Sequence, residues 1–214
     1  MIWQFVVLLV GLLLISFLLK FIWSGILSGR ALQLVVFPGV LIHELSHAIG
    51  CILTGARIDE ISLFSSKGSY VKHGKPKIPL LGILVVSLAP IAGGILFLWL
   101  LSKQYFGVFT IEPIPAIREL VIAIVENRSE WKFWVLLYLI ISVVISISPS
   151  KKDLSNSAIA LAVTTIVLLL ILHFELFSLE ILFSSLSRAL AVGVFFGLSA
   201  LLISLPIWLL KKLI

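Results

Sequence analysis

Phe37-Pro38-Gly39-Val40-Leu41-Ile42-His43-Glu44-Leu45-Ser46-His47-Ala48 lies within Ala31 to Ala56, one of the most apolar stretches of the chain. Two imidazoles and a carboxylate at membrane depth are costly unless they are used. Residues 43–47 form an HExxH pentapeptide. Positions i and i+4 share one helix face, so His43 and His47 can chelate a metal ion while Glu44 faces the water to be activated. The implied chemistry is metal-assisted hydrolysis with Glu44 as general base. The competing reading is a buried hydrogen-bond network, in which an unpaired glutamate would have to be neutral.

The rest of the chain matches that setting. Of 214 residues, 61% are hydrophobic and only 12% charged, and the mean hydropathy is +1.24. An ordinary soluble domain has an apolar share nearer ~45–50%. The composition predicts an all-α polytopic membrane protein. A crossing helix needs roughly 20 apolar residues. On that measure about six transmembrane helices are expected, near 2–19 (extending toward 27), 31–56, 79–101, 131–147, 154–174 and 183–210. Ile2 to Leu19 is too long for a signal-peptide core and has no small-residue cleavage site behind it, so it reads as a retained span.

Two polar intervals interrupt the spans. Between Arg57 and Lys77, short alternating pieces such as Ile58-Asp59-Glu60-Ile61-Ser62-Leu63 and Gly68-Ser69-Tyr70-Val71-Lys72 predict a β-hairpin at the membrane or the active-site mouth. Between Ser102 and Lys132, Ala116 to Glu126 has helix-like spacing after Pro113 and Pro115, which predicts a short interfacial helix. Neither interval could hold a folded domain of ~50 residues. The expected organisation is one transmembrane domain over 1–214 with a core of about 31–175.

The net charge of +6 does not call for nucleic acid, because basic residues gather in the cytoplasmic loops of membrane proteins. Six spans would put Arg57, Lys67, Lys72, Lys75, Lys77, Lys151, Lys152, Lys211 and Lys212, nine of the sixteen basic residues, on the side of the N-terminus. The expectation is a multi-pass cell-membrane protein with both termini cytoplasmic. The single cysteine, Cys51, excludes an intrachain disulfide and reads as a small buried hydrophobe. His73 and His173 read as solvated or interfacial.

The segment Phe37 to Ala48, followed one span later by Ser87-Leu88-Ala89-Pro90-Ile91-Ala92-Gly93-Gly94, resembles the site-2 protease family of intramembrane zinc metalloproteases. The resemblance implies HExxH on one core helix, a small-residue and proline motif on the next, and an aspartate ligand at the start of a third. That third element would be Ser148-Pro149-Ser150-Lys151-Lys152-Asp153. Asp153 is followed by Leu154 where the family usually has glycine, which places the chain in a divergent branch. The implied site holds one Zn²⁺ per chain on His43, His47 and Asp153, with Glu44 catalytic.

Asp153 also stands out by position, as the acidic residue that begins a span on the near side of the membrane. Asn156 and Ser157, at i+3 and i+4, share its face and could orient it. A helix-capping role for Asp153 stays open. Pro90 is a candidate for exposing backbone groups to an extended substrate, although Ala89, Ala92, Gly93 and Gly94 equally suit close helix packing. The expected partners are the lipid bilayer and a substrate helix of another membrane protein, with no nucleic acid. The alternative function is a non-proteolytic membrane protein that binds or transports a divalent metal. A third is a metallohydrolase acting on lipid or prenylated substrates.

Overall fold

The computed structural model describes residues 2–65, 68–105, 122, 125–148 and 180–213. Six helices and one hairpin make up the described structure: α1 (Ile2–Ile26), α2 (Gly29–Val35), α3 (Phe37–Thr54), β1 (Ile58–Ser62), β2 (Tyr70–His73), α4 (Pro79–Tyr105), α5 (Trp131–Ser146) and α6 (Glu180–Leu213). Among the described residues four stretches are long and apolar enough to cross a membrane: Trp3–Ile26, Phe37–Thr54, Pro79–Leu101 and Ala189–Leu213. Trp131–Ser146 is apolar but shorter. The expected span at 154–174 lies outside the described residues, as does nearly all of the expected interfacial helix. The fold class is the expected one, a helical polytopic membrane protein with a small antiparallel hairpin.

The stretch 31–56 is not one continuous helix. The chain leaves helical geometry at Val36 (φ −104°, ψ 25°) and restarts at Phe37, with Pro38 in the first turn, where its missing N–H costs nothing. Ser142 of α5 staples the break. Its hydroxyl donates to the Val36 carbonyl at 3.0 Å and accepts from the Gly39 N–H at 2.8 Å. A side chain at Gly39 would collide with the Ser142 backbone, so glycine sets how closely α3 and α5 approach. Gly55, at φ 66°, ends α3 in a left-handed turn, and the Ala56 N–H returns to the Cys51 carbonyl at 2.8 Å.

The core lies among α1, α4, α5 and α6. Leu12, Leu19, Leu98, Ile140, Val143, Leu190, Val192 and Phe196 are buried there, while Val7, Phe17, Leu53 and Leu202 face outward. Such an apolar exterior suits lipid. Contacts between α1 and α6 climb together: Gly193 meets Leu12, Gly197 meets Ile15, and Gly25 meets Trp208. The Lys211 ammonium then donates to the carbonyls of Gly25 and Ile26, both at 2.9 Å. The two helices therefore run parallel, and Ile2 and Leu213 lie at opposite ends of the bundle. Ends on one face, as span counting predicts, do not fit two parallel crossing helices. Helix α4 runs against them. Gly94 packs on Ile147, whose neighbour Ser148 bonds Ser16, whereas Leu98 packs at the level of Gly193 and Leu12. The start of α4 and the hairpin before it thus share the Lys211 end.

Candidate active site

Helix α3 presents His43, Glu44 and His47 to a cavity of about 470 Å³. Its opposite wall is Ser69 to Pro76, with β2 at its centre, and α4 contributes Ile83, Val86 and Ser87. The hairpin expected between 57 and 77 is present. It pairs Ile58 with His73, Ile61 with Val71 and Ser62 with Tyr70, with an irregularity between Ile58 and Glu60. Tyr70 donates to Glu60 Oε1 at 2.9 Å, and that hydrogen bond raises its phenol above the usual value, with burial and the nearby carboxylate adding to it.

Both imidazoles are oriented by backbone. His43 Nδ1 lies 2.7 Å from the Ser146 carbonyl and His47 Nδ1 lies 2.8 Å from the Val86 carbonyl. A carbonyl only accepts, so each Nδ1 carries the proton and each Nε2 the lone pair. The ring centroids are 5.0 Å apart. Glu44 is 3% exposed and His47 8%. A half-buried and a buried imidazole with fixed tautomers beside a buried carboxylate fit a divalent metal that prefers nitrogen donors.

The helices supply those two carbonyls for different reasons. Ser146 is the last residue of α5, where carbonyls have no partner four residues on within the helix. Val86 sits inside α4, and the residue four positions later is Pro90, which has no N–H to give it. Pro90 is fully buried and does not line the cavity. Its evident effect is to leave the Val86 carbonyl open to His47. Gly93 lets α4 come against Ser46 of α3, where any side chain would meet the Ser46 hydroxyl.

Asp153, Asn156 and Ser157 lie outside the described residues. Among the described residues no group of three or more His, Cys, Asp and Glu side chains forms a metal cage. His73, read from sequence as solvated or interfacial, is half-buried on the cavity wall. Its Nδ1 meets the Gly74 carbonyl at 2.9 Å. Sequence reasoning also missed Ser142 and Ser146; only their i, i+4 spacing on one face of an apolar helix hinted at a polar contact. Cys51 is fully buried beside Ala56 and Val86, as expected.

The family model described as Peptidase M50B-like matches residues 11–190. No curated protein and no solved structure matches the chain.

Proposed function

Because the chain belongs to the M50B-like peptidase family, we propose that it is an intramembrane zinc endopeptidase, hydrolysing peptide bonds within or next to transmembrane segments of other membrane proteins. The observation that carries this reading is the pair of backbone-oriented imidazoles flanking buried Glu44 at the wall of one cavity. His43 and His47 would hold the metal and Asp153 would complete the set, steadied by Asn156 and Ser157. Zn²⁺, when bound, supplies Lewis-acid polarisation of the scissile carbonyl and acidifies water.

Glu44 is the proton carrier. Its carboxylate takes a proton from the attacking water and passes it to the leaving amine, a role that the low exposure of the side chain suits by keeping bulk water away. A helical peptide bond is shielded by its own hydrogen bonds, so a substrate helix must unwind before Glu44 can act. Strand β2, lining the cavity opposite Glu44, could hold the unwound segment by strand addition. The basic hairpin face, together with Lys211 and Lys212, would be cytoplasmic, which puts the start of α1 on the other side.

Purified protein in lipid nanodiscs should cleave a model transmembrane substrate, lose that activity to a zinc chelator and regain it with added Zn²⁺. Chelator-insensitive cleavage would contradict the zinc mechanism. Stoichiometric zinc without cleavage of any transmembrane substrate would favour a metal-binding or transporting protein.

A further inference from the structure

The end of α5 is gripped by three helices. Ile145, Ser146, Ile147 and Ser148 are all buried. The Ser16 hydroxyl of α1 donates to the Ile145 carbonyl at 3.3 Å and accepts from the Ser148 N–H at 3.1 Å. Between those two contacts, the Ser146 carbonyl meets His43 Nδ1 of α3 at 2.7 Å, and Ile147 fills the space beside Gly94 of α4. One serine of α1 is therefore bonded on both sides of the carbonyl that orients His43.

The sequence explains why a hydroxyl is needed there. The last carbonyls of a helix lack partners within it, and the residue four positions after Ile145 is Pro149, which has no N–H to offer. Continuing the helix cannot satisfy Ile145, so its carbonyl needs a donor from elsewhere. The Ser148 N–H, by contrast, would find the Val144 carbonyl if the helix ran on. Ser16 holds that N–H instead, and α5 stops at Ser146. Ser16 has no exposed surface. With its hydroxyl removed, a buried carbonyl and a buried N–H both lose their partner. The nearest remedy is for Ser148 to wind back onto Val144, which rotates the peptide that carries the Ser146 carbonyl.

We propose that Ser16 is a positioning residue of the metal site: by fixing the end of α5 it aims the Ser146 carbonyl, which in turn holds the His43 ring with its proton on Nδ1 and its lone pair on Nε2 toward the metal. The inference rests on the reading of His43 and His47 as metal ligands. Ser16 does not line the cavity that they face, so its effect passes through α5. The same clamp sets the course of the chain into Pro149 and the segment that carries Asp153.

The test compares buried serines in the full-length protein in nanodiscs. Ser16→Ala should weaken zinc about tenfold in competition with a chromophoric chelator, the scale for loss of a contact that orients a ligand. Ser16→Cys keeps the volume with weaker hydrogen bonding and should fall between; it carries the test if the alanine variant does not fold. The comparison is Ser204→Ala, which removes another buried hydroxyl bonded to α1, the partner of the Trp23 indole N–H at 3.1 Å. That variant should lower the melting temperature and leave zinc affinity unchanged. In metal-free protein, ¹⁵N spectra of labelled histidine should show His43 protonated at Nδ1, and Ser16→Ala should give a mixture with the Nε2–H form. Unchanged zinc affinity in the Ser16 variants overturns the proposal, as does an equal loss in Ser204→Ala or an unaltered His43 tautomer. If the unaltered protein binds no zinc, the metal reading fails by itself, and the tautomer still decides whether Ser16 sets the ring.

Discussion

The Val86 carbonyl is bonded by the His47 ring at 2.8 Å, and it is open to that ring because residue 90, whose N–H would otherwise claim it, is a proline. Pro90→Ala restores the competing donor and should let the His47 ring turn. Loss of an orienting contact of this kind weakens metal affinity by about 10–100-fold. Zinc competition against a chromophoric chelator measures it, and an unchanged affinity would show that the carbonyl does not set the ring.

His43→Ala and His47→Ala each remove one nitrogen donor. A site left with two protein ligands should lose most of its zinc, read as the metal-to-protein ratio of purified protein. Full zinc in both variants would make the pentapeptide a coincidence.

Asp153→Asn separates a metal ligand from a helix cap. A ligand role predicts collapse of cleavage together with weakened zinc binding, whereas a cap tolerates asparagine with little loss. If that variant keeps full activity, the third ligand must be sought elsewhere, and His73 on the cavity wall is the next residue to replace.

The parallel course of α1 and α6 predicts the labelling pattern of single cysteines in a Cys51→Ala background. Cysteines at Lys75 and Lys211 should label from one face of the membrane, and cysteines at Trp3 and Arg128 from the other. Labelling of Trp3 and Lys211 from the same face would contradict the parallel pairing seen at Gly193, Gly197 and Gly25.

Much of this was legible in the sequence because it is local. The histidine spacing, the alternation in 57–77 and the apolar runs each report on a few adjacent residues, and the helix, hairpin and bundle followed from them. What escaped the reading depends on distant partners. Val36 lies in an unbroken apolar stretch, and its break is held by Ser142, 106 residues away. The parallel pairing of α1 with α6 was hidden because span counting lets every long apolar stretch cross once in alternation, yet the chain turns back between α1 and α3 through the short helix α2. His73 sits in a basic loop by sequence and reaches the cavity only through its pairing with Ile58.

The most direct test is Glu44→Gln, which preserves shape and removes the carboxylate that carries the proton. Zinc content and cleavage of a model transmembrane substrate should be measured on the same preparation. The account predicts zinc close to that of the unaltered protein and cleavage abolished. Retained cleavage at full zinc would contradict it.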